Sequence, residues 1–224
     1  MNSLATKLNR TLGNASAFLS PAGRRMYFPY GGILGQGAEA KQCEINATIG
    51  MAFEEDGSPL VMPCFGSLTT LGKKAFLYAG SFGNPALRDA WTRLELKKNP
   101  SLKGVRFSRP VVTNALTHGL RTAAELFAGP SDELVTPDLF WDNYELIFQE
   151  AVGCKVAHFN TFRKLRGCEV EKSGGCGNTM AFDAEAMKKA LLAPGAKKLL
   201  ILNFPNNPTG YTATLDDAKK IVAV

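Results

Sequence analysis

Nothing in the sequence is long and apolar enough to cross a bilayer: the strongest run, Leu199-Leu200-Ile201-Leu202, is far short of the roughly 20 residues needed. No membrane anchor is expected. Histidine is scarce, with two in the chain and no metal-type His spacing. The five cysteines, Cys43, Cys64, Cys154, Cys168 and Cys176, are odd in number and include no Cys-x-x-Cys pair. That argues against a disulfide framework or a zinc site and suits reduced thiols in a cytoplasmic protein. Acidic residues are missing before Glu39, so the first stretch carries Lys7, Arg10, Arg24 and Arg25 uncompensated. Such a composition also reads as a mitochondrial transit peptide. Leu4, Leu8 and Leu12, at helical spacing, favour instead an arm that packs on another subunit, and the expected setting is cytoplasmic, with the mitochondrion as the alternative.

What is present describes an ordinary globular chain: 224 residues, 45% hydrophobic and 21% charged, enough for one large domain or a domain with a small appendage. The net charge of +6 and pI near 9.1 arise from scattered pairs, Arg24-Arg25, Lys73-Lys74, Lys97-Lys98 and Lys197-Lys198. No aromatic-interleaved basic stripe accompanies them, so no nucleic-acid partner is expected. A phosphorylated small molecule would suit a locally basic site.

The Gly-rich run Gly31-Gly32-Ile33-Leu34-Gly35-Gln36-Gly37 predicts loop, and it lacks the spacing and preceding strand of a dinucleotide fingerprint. Further on, Asn84 is a candidate cap and Pro85 suits a first helical turn, with Leu87, Ala90, Trp91 and Leu94 on one face and a stop at Asn99-Pro100. Then come a strand candidate at Val111–Thr113, a helix over Thr117–Phe127 and a break at Gly129-Pro130. Strands are predicted at Glu133–Thr136, Val156–Phe159 and Lys198–Asn203, with helices around Asp142–Ala151 and Asp183–Leu191. Thr214 with Asp217 forms a capping box for a last helix. This alternation predicts an α/β, mainly parallel sheet, whose ligand site lies at the carboxyl ends of its strands.

Three segments fall at such ends. Asn206-Asn207-Pro208-Thr209-Gly210 is by itself good turn chemistry. Taken as Leu202 to Tyr211, it resembles the Asn-Pro-Thr-Gly motif of fold-type I, aspartate aminotransferase-like enzymes that depend on pyridoxal phosphate. The resemblance implies that Asn207 donates its amide to the phenolate oxygen of that cofactor. Val112 to Leu120 resembles the strand-to-helix turn that holds the cofactor phosphate, which makes Ala115, Leu116 and Thr117 the phosphate cup. A helix start there points free N–H groups and a positive dipole end at an anion. The departure from the common wording is Ala115-Leu116, where Gly or Ser is frequent. His118, next along, reads as a packing or surface residue. Val135 to Tyr144 resembles the segment that stacks an aromatic ring on the cofactor, and Trp141 takes that place; read alone, Trp141 is a core residue.

Two weaker matches complete the resemblance. Phe76 to Arg88 resembles the segment whose tyrosine reaches the partner subunit's phosphate, so Tyr78 implies a homodimer with shared active sites; alone, it is a tyrosine packed near a turn. Ile45 to Leu60 resembles a substrate-proximal loop and hairpin, with Gly50 near the substrate carboxylate, although the Asp56-Gly57 turn also explains a hairpin without chemistry. The implied organisation is an arm and substrate-proximal loops over 1–45, a small-domain hairpin region over 46–75, and a partial cofactor-binding large domain over 76–224. The implied activity is amino-group transfer between an amino acid and a 2-oxo acid. A lyase, a decarboxylase or a non-catalytic relative on the same fold would carry the same three segments. The family's Schiff-base lysine is expected well after Gly210, where only Lys219 and Lys220 stand, too close to the motif to match. The chain therefore reads as an N-terminal fragment, inactive alone, with no catalytic residue of its own and no metal.

Overall fold

The computed structural model describes residues 2–27, 31–48, 50–68, 70–78, 80–165 and 180–224; Cys168 and Cys176 lie outside them. The chain divides into two compact units, Met1–Tyr30 with Leu120–Val224, and Gly31–Gly119.

The first unit is built on three parallel strands. β1 (Glu133–Pro137) lies between β2 (Lys155–Phe159) and β5 (Lys198–Leu200). As the central strand it has both faces covered, and Leu134, Val135 and Thr136 are fully buried, as a parallel strand with helices on both faces requires. Successive side chains point to opposite faces. Leu134 packs with Ala124 of α5 (Ala115–Phe127), with Cys154, and with Tyr144, Ile147 and Phe148 in and just before the π-helical α6 (Glu145–Ala151). Val135 packs with Phe159, Phe182, and Ala184 and Met187 of α7 (Ala184–Leu192). Each fully buried large side chain contributes about 1.5–3 kcal/mol, so both helical layers are anchored through one strand. At the amino ends, Glu133 and Lys198 face each other in register and form a 3.0 Å ion pair.

A short antiparallel pair, β3 (Phe162–Lys164) and β4 (Met180–Phe182), supplements this sheet. Near the N-terminus, α1 (Ser3–Leu12) and α2 (Pro21–Arg25) lead to an Arg25 side chain whose Nε–H donates to the Glu150 carbonyl of α6 at 3.1 Å. The second unit holds α3 (Ile33–Glu39) and α4 (Pro85–Lys98). It also holds a tight turn in which Phe53 bridges Pro59 around Gly57, whose φ is +81°.

Helix boundaries follow the expected chemistry. The Asn84 side chain accepts from Ala86 and Leu87 N–H with Pro85 in the first turn. Asp183 accepts from Ala186 N–H, and Thr214 with Asp217 forms the capping box of α8 (Leu215–Val222).

Three expectations need correction. The Gly-rich run forms α3 over Ile33–Glu39; its two interior glycines weaken a helix by roughly 1 kcal/mol each without forbidding it. Val111–Thr113 is not a strand: the β-branched run has no ladder partner among the described residues, where Val112 N–H instead donates to the Phe82 carbonyl at 3.1 Å. β5 ends at Leu200 rather than Asn203, since Ile201 N–H makes the last bond to β1, at the Val135 carbonyl.

The Thr136 hydroxyl has no partner among the described residues, and such an orphan costs about 1–3 kcal/mol. Thr136→Val, nearly the same shape without the hydroxyl, should raise the urea midpoint by an amount equivalent to about 1 kcal/mol at unchanged slope. A lowered midpoint would mean the hydroxyl is bonded after all.

Candidate functional site

Because the sheet is parallel, the loops after β1, β2 and β5 leave on the same side. Backbone and side-chain bonds tie them together. Asp138 N–H donates to the Phe159 carbonyl at 2.8 Å. The Asp138 carboxylate accepts from Thr161 N–H (2.8 Å) and Thr161 Oγ1–H (2.6 Å), and Leu139 N–H reaches Thr161 Oγ1 at 3.3 Å. Burial alone pushes the Asp138 carboxyl up, but the Thr161 hydrogen bonds outweigh it and hold the group below its ordinary range. The β1 loop is thereby fastened to the end of β2.

That loop carries Trp141, half-buried against the Leu134 cluster. Its indole meets the Tyr144 ring edge-on at 5.6 Å, and Phe140 stacks on His158 at 4.5 Å. Trp141 is thus a core residue on one side and partly open on the other, which suits both readings of it.

The loop after β5 carries the Asn-Asn-Pro-Thr-Gly turn. Asn206 and Asn207 have opposite surroundings. Asn206 is buried: its Oδ1 accepts from Thr209 N–H (3.2 Å) and Thr209 Oγ1–H (2.7 Å), and its Nδ2 donates to the Asn203 Oδ1 (3.3 Å) and the Leu139 carbonyl (3.4 Å). Asn207 is exposed. The turn closes through Asn206 N–H to the Tyr211 carbonyl and Gly210 N–H to the Asn206 carbonyl, with Gly210 at φ +71°, a conformation glycine adopts at least cost.

Immediately after the turn, Tyr211 donates its hydroxyl to Asp217 Oδ2 at 2.6 Å, the same oxygen that accepts from Thr214 N–H and Oγ1–H. Burial and the adjacent Asp217 carboxylate raise the Tyr211 phenol far above its ordinary value. Burial pushes Asp217 up, but the bonds from Thr214 and Tyr211 prevail and lower it. On α8, Lys220 pairs with Asp216 at 2.6 Å.

The other sequence candidates, including the helix start at Ala115–Thr117, belong to the second unit. Ala115 has φ +64°, the left-handed region, where a Cβ costs about 1–2 kcal/mol. Its N–H bonds the Thr113 carbonyl, and Asn114 N–H donates to His118 Nδ1 at 3.0 Å. His118 therefore braces the turn. Leu116 and Thr117 occupy the first turn of α5, are exposed, and have N–H groups without intrahelical acceptors. Tyr78 is almost fully exposed at 97%. A Cβ added at Gly50 meets nothing within 4 Å, so nothing in its own surroundings requires a glycine. The structure thus brings Trp141 and the Asn207 turn together at neighbouring strand ends of the first unit, while Ala115–Thr117, Tyr78 and Gly50 are residues of the second unit. Asn206, Asp138 and Thr161 were not picked out in the sequence; the doubled asparagine was the only signal for any of them.

The sequence profile described as "Aminotransferase class I and II" matches residues 66–224. The chain belongs to this family. No curated protein sequence matches it, but solved structures do. A cytoplasmic aspartate aminotransferase from Saccharomyces cerevisiae is similar with a TM-score of 0.64 at 21% identity, covering 88% of this chain and 47% of its own. An aminotransferase from Anaerococcus prevotii gives 0.64 at 20%, covering 85% and 45%. An archaeal alanine:glyoxylate aminotransferase gives 0.64 at 19%, covering 94% and 50%. This chain thus has the aspartate aminotransferase-like α/β fold and spans about half the length of these structures. No helix among its described residues is long and apolar enough to cross a membrane.

Two outcomes are expected. Ala115→Gly relieves about 1–2 kcal/mol of left-handed strain and loses about 0.4–1 kcal/mol to the freer unfolded chain. It should therefore stabilise by roughly 0.5–1 kcal/mol in urea unfolding, and any destabilisation would contradict the φ assignment. Asp217→Asn should cost about 1–2 kcal/mol at pH 7. Because the Asp217 carboxyl is lowered on folding, its contribution is present above the unfolded value of about 3.9 and is lost as pH falls through the folded one. The gap between variant and parent should accordingly close below about pH 4; a gap constant down to pH 2 would show that the charge is irrelevant.

Proposed function

We propose that this chain supplies the cofactor-holding part of a pyridoxal-phosphate-dependent aminotransferase that moves an amino group between an amino acid and a 2-oxo acid. The observation that supports the reading most is the pairing of an exposed Asn207 amide with a half-open Trp141 ring on two adjacent strand ends, linked through Asn206. Members of the family use pyridoxal phosphate, and the residues present fit it. A flat indole suits a pyridine ring, a side-chain amide suits a phenolate, and first-turn N–H groups suit a phosphate.

In this reading Trp141 stacks on the ring, Asn207 donates to the phenolate oxygen, and Ala115, Leu116 and Thr117 receive the phosphate. Gly50 lies toward the substrate carboxylate, and Tyr78 serves the partner's phosphate in a homodimer with shared sites. The cofactor, when bound, supplies an electron sink for the amino-acid carbon. This chain's residues bind and orient it and carry no proton. Lys219 and Lys220 lie on α8, with Lys220 engaged by Asp216, and neither takes the catalytic lysine's role in this reading. Residues 1–45 form the arm and loops, 46–75 the hairpin region and 76–224 the large-domain part, in a cytoplasmic protein.

The test uses the 224-residue chain carrying Trp91→Phe, which leaves Trp141 as its single tryptophan. Pyridoxal phosphate should quench Trp141 saturably, and Asn207→Ala should weaken that binding about 10- to 100-fold, the worth of one hydrogen bond to a charged acceptor. Absence of saturable quenching would overturn the reading. For the protein that contains this chain, amino transfer to 2-oxoglutarate is expected across some amino donor; carbon dioxide release or elimination instead would refute the aminotransferase assignment.

A further inference from the structure

Resting on the function just proposed, we infer that Asn206, which touches no ligand in that reading, is a positioning residue that fixes the Asn207 turn to the loop carrying Trp141. Two consecutive asparagines of identical chemistry have different roles. Asn207 is exposed, while Asn206 is 6% exposed with its amide fully engaged. Its oxygen takes both donors of Thr209, and its nitrogen divides its two protons between the Asn203 Oδ1 and the Leu139 carbonyl.

The Leu139 bond matters because it spans strands. Leu139 stands two residues before Trp141, and its own N–H is held by Thr161 beyond β2. The Leu139 backbone is therefore held from both sides, by Thr161 after β2 through its N–H and by Asn206 after β5 through its carbonyl. With the strand order β2-β1-β5, three neighbouring strand ends are stitched across one residue. Only a short side chain with both donors and an acceptor meets this demand. Aspartate keeps the acceptor for Thr209 but turns an anion toward the Leu139 carbonyl and Asn203 Oδ1.

The experiment again uses the 224-residue chain with Trp91→Phe and reads two signals: collisional quenching of Trp141 by acrylamide without cofactor, and the affinity for pyridoxal phosphate. Asn206→Asp should raise acrylamide quenching about twofold and weaken pyridoxal phosphate about fivefold, near the worth of one hydrogen bond. Thr209→Val, a milder change, should move both signals in the same direction, and Thr209→Ser, which keeps the hydroxyl, should restore them. Circular dichroism identifies folded variants; if Asn206→Asp does not fold, the Thr209 pair decides. Unchanged Trp141 quenching and affinity in a folded Asn206→Asp, or Thr209→Ser behaving like Thr209→Val, would overturn the inference. If pyridoxal phosphate fails to quench Trp141 even without these changes, the proposed function fails instead, and the acrylamide signal still tests the hold of Asn206 on the loop.

Discussion

The parallel register of β1 with its two neighbours is the constraint from which the rest follows. Parallel pairing sends every loop of interest off the same edge, and it buries the central strand on both faces so that this edge is backed by packed side chains. Leu134 and Val135, adjacent in sequence, anchor opposite helical layers. What the sheet does not provide is the fine setting of the loops, which comes from a few polar residues whose bonds run from one strand end to the next. Asp138 with Thr161, and Asn206 with Leu139, perform that work. Each bond is modest, but all are sheltered and close to the packed core, where a broken partner is costly.

Much of the architecture was legible because it rests on local chemistry. Asn84-Pro85, Asp183 and the Thr214–Asp217 box each satisfy their own helix's first N–H groups within three residues, and β1 and β2 each carry a short apolar pair, Leu134-Val135 and Val156-Ala157, in a stretch of strand length. The misreadings have a common origin in non-local context. A β-branched run such as Val111–Thr113 becomes a strand only where a neighbour offers a ladder. Glycines at 35 and 37 penalise α3 without deciding against it.

The candidate site divides along the same line. Asn207 and Trp141 could be picked out because their segments resemble a known family at the residues themselves. Asn206 could not, since its partner Leu139 is 67 residues away and nothing in either local sequence announces the meeting. Asp138 and Thr161, 23 residues apart, were hidden in the same way. His118 reads as a packing or surface residue in the sequence, yet it has a definite structural role. Its ring nitrogen accepts from Asn114 at the turn where Ala115 adopts an unfavourable backbone conformation.

The Tyr211–Asp217 hydrogen bond has an electrostatic meaning as well as a structural one. It goes with a phenol held far above its ordinary range and a carboxyl held below its own. The scaffold beneath the asparagine turn therefore holds one fixed charge across the whole interval in which proteins ordinarily work. The pair is therefore a spectator to any titration within that interval, a constant background against which the ionisation of a neighbouring group would stand out.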